Sequence, residues 1–425
     1  MLKALKYPLC FCLIAIGVFY RCASPKEAYR SKENTYKKSS LDLNAKVLAY
    51  HISDSLTQLY FTIDNENLLY KRPDTTNWFY AAVKVKFFTY SNTKSKILID
   101  SGSVTLLDRQ SDKFYPKILS GSLFSKCKIG QSYICEIAIF DLNKKTKIPY
   151  VLIINKTSAA TRQSFLIQKN DGSILYDYHL RPNDSVVIKS FINSETTFTV
   201  DCFKRDFPLA PPPYSLHERV AFNYKPDSSF VVTRNIGLIK LIVPQKGFYH
   251  LLTEKETKTG ITLFSTDQSF PGIKDEVEMI KCVRYITSSE EYNALMNSPD
   301  KKQAIDEFWK EKGGSNERAK ELLRKYYSRV TQANKLFTSF QPGWQTDRGM
   351  IYIVFGPPAK IYKYATSEMW VYGSDAQANS LRFNFQKITN PFSENDFVLD
   401  RSDYFKYPWH QAVNGWKDGH IFMDN

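Results

Sequence analysis

Residues 341–358 read Gln-Pro-Gly-Trp-Gln-Thr-Asp-Arg-Gly-Met-Ile-Tyr-Ile-Val-Phe-Gly-Pro-Pro. Pro342 sets one φ angle and Gly343 admits a positive one, so the stretch opens on a turn. Asp347 and Gly349 make a second break. Six apolar residues, Met350 to Phe355, follow without interruption. A run of that length between turn signals predicts a strand buried on both faces. Gly356-Pro357-Pro358 ends it, because prolines offer a sheet no N–H. The stretch is expected to be a tight loop feeding the central strand of a domain.

Gly343-Trp344-Gln345-Thr346-Asp347 resembles the five-residue signature of the GWxTD domain family. Arg348, Gly349, Tyr352, Gly356, Pro357 and Pro358 resemble its continuation, as do Trp370 and Tyr372 downstream. Asp306 to Trp309 and Tyr326 to Val330 are similar to the helices before the signature, and Gly415 to Gly419 to the terminal segment. The resemblance is expected to run through most of the chain after its leader. It implies an exported protein and carries no established catalytic residues.

The chain has 425 residues, 43% hydrophobic and 15% aromatic, with 17 glycines. That composition excludes a fibrous or disordered chain, and the length predicts about three domains. Residues 1–22 read as a targeting segment. Lys3 and Lys6 precede the apolar stretch Leu9 to Tyr20, which is too short to span a bilayer and suits a signal peptide. Cys22 then stands where bacterial lipoproteins are cleaved and acylated, although Arg21 fills the place of an expected small residue. Several acyl chains would anchor the protein stably where one is marginal. Losing Lys3, Lys6 and Arg21 with the leader leaves +12 of the formal +15. The excess is dispersed lysine. It suits anionic lipid but shows no dense basic run with interleaved aromatics of the kind that tracks nucleic acid. No nucleic-acid partner is expected.

Residues 23–43 are polar and suit a tether. From Val47 the pattern turns to strands: Leu59–Ile63, Ala81–Phe88, Ser103–Leu107 and Tyr133–Phe140 lie between turn signals about 10 residues apart, the spacing of an antiparallel sandwich. A second such unit is expected from Tyr150, with strands at Tyr150–Ile154, Ser164–Ile167, Ile174–Tyr178, Val186–Ile188, Thr197–Phe203, Ser229–Val232 and Leu238–Val243, and a hairpin at 247–264. The proline stretch Phe207 to Tyr214 interrupts it, either docking in an aromatic groove or serving as a stiff loop.

After Pro271-Gly272 the chain changes character. Glu278 to Ile286 reads as a linking strand. Ser288 to Glu291 is a capping box. Ser298-Pro299 starts a helix that Gly313-Gly314 stops. Ser315 caps a longer helix to Phe337, with Leu322, Tyr326, Val330, Ala333 and Phe337 on one face. Strands at 350–355, 361–364, 369–372, 381–385 and 397–399 would follow as a meander. The expected fold is multidomain: all-β sandwich-like domains at 44–148 and 149–268, then an α+β domain at 269–425 with a mostly antiparallel sheet.

No catalytic, cofactor or metal pattern is present. The histidines, His51, His179, His217, His250, His410 and His420, are scattered. Cys127 and Cys135 flank a predicted hairpin at Gly130-Gln131, which would set them opposite each other as a candidate disulfide. Buried free thiols are the alternative. Thr346, Asp347 and Arg348 suit a ligand site or an Asx-type turn, with Trp344 plugging the gap between helix and sheet. The tail rings Tyr404, Phe405, Tyr407, Trp409, Trp416 and Phe422 either cover the sheet or form a binding surface. The expected protein is a non-enzymatic lipoprotein of the outer membrane, facing the periplasm, that acts on envelope protein partners. The alternative is a hydrolase or glycan-binding protein with its site near the signature loop.

Overall fold

The computed structural model describes residues 44–73, 77–91, 97–192, 196–216, 221–253, 259–364, 366–373 and 380–421, and counts refer to these. The leader, Cys22, the tether, His217 and Phe422 lie outside them. The protein is mostly β, built from several units with antiparallel sheets and a helical part near the C terminus.

The first unit has seven strands: β1 (Lys46–Ser53), β2 (Leu56–Asp64), β3 (Phe79–Tyr90), β4 (Leu98–Gln110), β5 (Ile118–Lys126), β6 (Gln131–Asp141) and β7 (Thr146–Lys156). They form two sheets, ordered β1-β2-β5 and β4-β3-β6-β7. In β3, Val83, Val85 and Phe87 turn inward while Lys84 and Lys86 turn out, as a strand's two-residue period requires. These side chains meet Leu59, Phe61 and Ile63 of the other sheet in one core.

Two expectations are corrected here. Tyr150–Ile154 does not open the second unit. It is the middle of β7 and pairs with β6 of the first. Cys127 and Cys135 are free, buried thiols rather than a disulfide. Gly130 joins strands of different sheets, not a hairpin, so the two cysteines are never cross-strand neighbours.

The second unit is one sheet of eight strands: β8 (Phe165–Lys169), β9 (His179–Leu180), β10 (Ser185–Ser190), β11 (Thr197–Phe203), β12 (Ser228–Asn235), β13 (Leu238–Ile242), β14 (Gly247–Leu252) and β15 (Gly260–Ser265). Its order is β8-β10-β13-β12-β11-β14-β15-β9. Ile174 makes only a bridge to Gln168, so no full strand spans 174–178. β12 pairs with β11 over residues 228–233 and with β13 through Arg234 and Asn235. That change of partner lets both halves of the sheet feed one core, with Ile188 and Leu241 from one half and Val200 and Leu251 from the other.

The helical part holds α1 (Glu276–Cys282), α2 (Ser289–Asn297), α3 (Lys301–Gly313), α4 (Asn316–Phe337) and α5 (Asp347–Phe355). The antiparallel meander β16 (Lys360–Lys363), β17 (Ser367–Tyr372), β18 (Leu381–Lys387) and β19 (Phe397–Leu399) follows, then α6 (Lys406–Lys417). The Ser288 capping box and the Ser315 cap form as read, and Gly314 ends α3 in the left-handed conformation. The α3 cap itself is Asp300, not the Ser298-Pro299 pair. Glu276–Cys282 is a helix rather than a linking strand, because Asp275 accepts the Glu278 N–H at 2.9 Å.

The largest correction concerns residues 350–355. They form no strand. They complete α5, a helix buried along its whole length. A run that is apolar on every side has no period to read, so helix and strand look alike in it. The cap decides. Thr346 accepts the Gly349 N–H at 3.0 Å, and Asp347 sits in the first turn, where a negative charge favours the helix dipole.

Two side-chain clusters join the units. Leu48 and Tyr50 of β1 pack on Leu166, with Tyr60 and Tyr176 around them. Phe203 and Phe248 of the second sheet pack on Phe340 and Phe392, with the Phe203 and Phe248 rings 4.6 Å apart. The proline stretch crosses the same junction. Ala210 N–H donates to the Gln345 carbonyl at 3.2 Å, and Ser402 N–H to that of Pro213 at 3.2 Å. It is therefore a strap docked on the signature loop.

Candidate functional site

The signature is the N-terminal cap of a buried helix, and each of its polar groups has a structural partner. Gly343 passes so close to α4 that a Cβ there would stand 2.0 Å from the Ala333 carbonyl oxygen. A Cβ on Gly349 would stand 1.9 Å from that of Gly343. Only glycine allows this stacking of backbone on backbone. Trp344 is 2% exposed, its ring edge-on to Tyr285. Its backbone N–H donates to Asn334 Oδ1 at 3.1 Å, and its carbonyl accepts Tyr285 O–H at 3.0 Å. It fills the wall between α4 and α5.

Asp347 accepts the Leu399 N–H at 2.8 Å and is bridged by both terminal nitrogens of Arg401. Arg401 also donates to the Pro211 carbonyl at 3.1 Å, so helix, meander and strap meet at one carboxylate. Arg348 lies 3.4 Å from Glu368, donates to Asn395, and is held between the rings of Phe397, at 4.0 Å, and Phe337, at 5.1 Å. Glu368 in turn accepts the Trp370 indole N–H at 3.1 Å.

The other end of α5 is equally closed. Arg329 donates to the carbonyls of Ile353 and Val354, at 3.1 and 3.3 Å, and Trp416 Nε1 donates to Val354 at 3.0 Å. Tyr372 O–H donates to the Gly356 carbonyl at 2.8 Å. A helix end sealed from water needs such donors, since its last carbonyls have no partner within the helix. Gly356, at φ +84°, leaves room for the Arg329 guanidinium, which a Cβ would approach to 2.7 Å. Tyr352 packs edge-on against Phe337, and Pro357 and Pro358 carry the chain away into β16.

Sequence reasoning identified the signature residues but missed Arg401, Asn334, Glu368 and Arg329. These lie far along the chain or on helix faces that read as charged. A buried charge opposite Asp347 was the signal available, since an isolated one is costly.

An open space adjoins the signature. A cavity of about 430 Å³ lies between the second sheet and the helical part, walled by Phe207, Phe248, Phe340, Pro342, Trp344 and Gln345. Its rim mixes signs, with Lys246 paired to Asp267 and Lys281 to Glu278. A second space, about 630 Å³, meets the first at His179 and Phe270. His179 is stacked between Phe264, at 5.3 Å, and Phe270, at 4.6 Å. Burial holds its pKa below the usual value, against the pull of Asp177.

The structure does not gather Asp347, Arg348, His410 and His420. The first two are buried in the pairs above, while His410 and His420 are exposed and His410 packs on Tyr214. Among the tail rings, Phe405, Trp409 and Trp416 are core, whereas Tyr404 and Tyr407 are 63% and 77% exposed. Among the described residues no group of three or more His, Cys, Asp or Glu is placed to hold a metal. No described helix is long and apolar enough to cross a membrane.

Comparison with known proteins agrees with the signature. The model of the GWxTD domain matches residues 247–418. These residues form a GWxTD domain. The match is shorter than the sequence resemblance predicts. It begins at β14, so the GWxTD domain takes in the last hairpin of the second sheet, which supplies Phe248 to the aromatic junction. No curated protein matches the chain. Two solved structures show slight likeness. One, described as a beta-galactosidase from Bacteroides fragilis, is 11% identical over 27% of this chain and 16% of its own, with a TM-score of 0.18. The other, Bacteroides uniformis beta-glucuronidase 2, is 9% identical over 33% of this chain and 16% of its own, also at 0.18. The chain thus spans under a fifth of either structure, and likeness at that score carries no argument about fold or activity.

Proposed function

We propose that this protein is a non-enzymatic interaction or scaffold component of the cell envelope. In this reading it is a lipoprotein moored at Cys22 to the outer membrane, facing the periplasm, with envelope proteins as partners. Residues 23–43 are the tether, the two N-terminal units are β-sandwich-like modules, and the GWxTD domain is held beyond them. The observation that carries the reading is the fate of the signature. Asp347 is consumed by Arg401 and the Leu399 N–H, and Arg348 by Glu368 and Asn395. Charges so paired hold a scaffold together rather than turn over a substrate. The packed junctions at Leu48–Leu166 and at Phe203–Phe340 support a stiff array of binding faces.

The test is mild crosslinking in intact cells, then detergent extraction and sizing of the complex, with the mass of the mature N terminus read alongside. Recovery of a lone monomer counts against the scaffold, and an unacylated N terminus against the anchor. A second reading, glycan binding, rests on exposed Tyr404 and Tyr407, one helical turn apart. Loss of polysaccharide retention on replacing both with alanine would favour it.

A further inference from the structure

The described chain begins at one pole of the first unit. Lys46 pairs with Thr62, Asp64 with Ile118, Phe79 with Gln110 and Asp141 with Thr146. The chain entry, the loop after β2, the β4–β5 loop and the β6–β7 turn therefore leave the sheets at the same end. Buried polar groups tie these loops into one surface. Asp108 accepts from Asn65 at 3.1 Å, from Gln110 at 3.2 Å and from Tyr70, and pairs with Lys117. Asp141 accepts the backbone N–H groups of Leu69 and Asn143, each at 2.9 Å.

Beside these loops stand large apolar side chains that are exposed among the described residues. Leu107 is 77% exposed, Ile118 69%, Tyr115 56%, Leu69 and Phe114 42%, and Trp78 39%. Exposed apolar side chains gathered at and near one end of the unit favour a contact site there. Cations are threaded between the rings: Arg109 lies 4.3 Å from the Trp78 ring centre and Lys113 5.5 Å from that of Tyr115. Lys71, Arg72, Lys144 and Lys145 add to them, and among the described residues of these loops the carboxylates that are not buried are Asp64, Glu66 and Asp112. Protein-binding patches are depleted in lysine at their centres. Rings and aliphatics interleaved with Lys and Arg are the composition of a membrane–water interface, and the charge excess complements anionic headgroups. The described chain enters the first unit at this same pole, through Asn44 and Ala45.

We propose that this pole of the first unit seats on an anionic phospholipid bilayer, its exposed rings at headgroup depth and its lysines on the phosphates. The inference builds on the envelope reading, but its test does not use a lipid at Cys22. Five of the six tryptophans, Trp309, Trp344, Trp370, Trp409 and Trp416, are buried in the GWxTD domain, so Trp78 alone is open to a quencher in the bilayer. The full chain carrying Cys22→Ser is mixed with vesicles whose acyl chains are brominated. Quenching of Trp78 is expected with phosphatidylglycerol present and not with phosphatidylcholine alone, and it should fall at high salt. Leu107→Ser with Ile118→Ser should reduce it at least threefold with an unchanged circular dichroism spectrum, and Lys113→Glu with Lys145→Glu likewise. Quenching that is absent, equal in both lipids, or unchanged in both variants would overturn the proposal. So would a dimer that shields Trp78 without lipid. An acylated, envelope-bound chain with unquenched Trp78 would sink this inference and leave the envelope reading standing.

Discussion

The pair Asp347–Arg401 offers the sharpest test of a structural signature. Both side chains are about nine-tenths buried, and the contact is bidentate. Asp347→Ala removes the acceptor of the Leu399 N–H and leaves the Arg401 guanidinium buried with the Pro211 carbonyl as its remaining acceptor. Breaking a buried pair in this way costs about 3–5 kcal/mol. Arg401→Met strands the carboxylate, which keeps the Leu399 N–H, so its cost should be about 2–4 kcal/mol. Removing both leaves no uncompensated charge. The double variant is expected to lose only about 2–3 kcal/mol, chiefly the Leu399 hydrogen bond and packing. The double-mutant cycle should then show a coupling of about 3 kcal/mol or more. Urea unfolding followed by tryptophan emission reads the GWxTD domain selectively, because its five tryptophans are buried there. Additive losses, or a single Asp347→Ala loss under about 1 kcal/mol with the domain intact, would refute the reasoning.

Gly349→Ala should prevent the domain from folding, since its Cβ would overlap the Gly343 carbonyl. Soluble yield and a cooperative unfolding transition check this. Arg329→Met should cost about 2–4 kcal/mol by leaving the Ile353 and Val354 carbonyls short of a donor, in the same urea assay. His51 offers a pH test. Burial, helped by the Lys156 ammonium and opposed by the Asn155 carbonyl, lowers its pKa to about 4. The unfolded chain binds that proton near pH 6.5 and the folded chain does not, so stability is complete above that pH and falls as the pH drops from 6.5 towards 4. Between pH 7 and pH 5 the first unit should lose about 2 kcal/mol, a loss that His51→Gln removes, measured by the protection of β1 and β2 amides against hydrogen exchange. Glu291 acts lower on the scale. Burial opposes its ionisation, but the Ser288 N–H and the ammonium groups of Lys312 and Lys417 outweigh that and hold it at about 2. The stability it supplies is present above about pH 4.5 and drains away towards pH 2, and Glu291→Gln should flatten acid unfolding of the GWxTD domain in that window.

Much of the architecture was legible in the chain. The alternation in β3, the four-step stripe of α4 and the caps at Ser288 and Ser315 are local patterns, and local hydrogen bonding enforces them wherever the chain lies. The candidate site was legible in part. The signature named Trp344, Thr346 and Asp347, but Thr346 and Asp347 read as an Asx-type turn before a strand, whereas Thr346 is the cap of a helix. The run after it read as a strand because burial on every side erases the period that tells helix from strand.

What the sequence determined alone is what neighbours in the chain settle between themselves: strand alternation, the helix stripes, the glycines of the signature and the excess of cations. What only the tertiary structure decided is what distant segments do to one another. Arg401 lies 54 residues beyond Asp347, Trp416 is 62 beyond Val354, and the strap carbonyl of Pro211 is 190 before Arg401. The partner of a buried charge, and the donor that closes a buried helix end, are chosen by packing in three dimensions. No spacing along the chain encodes that choice.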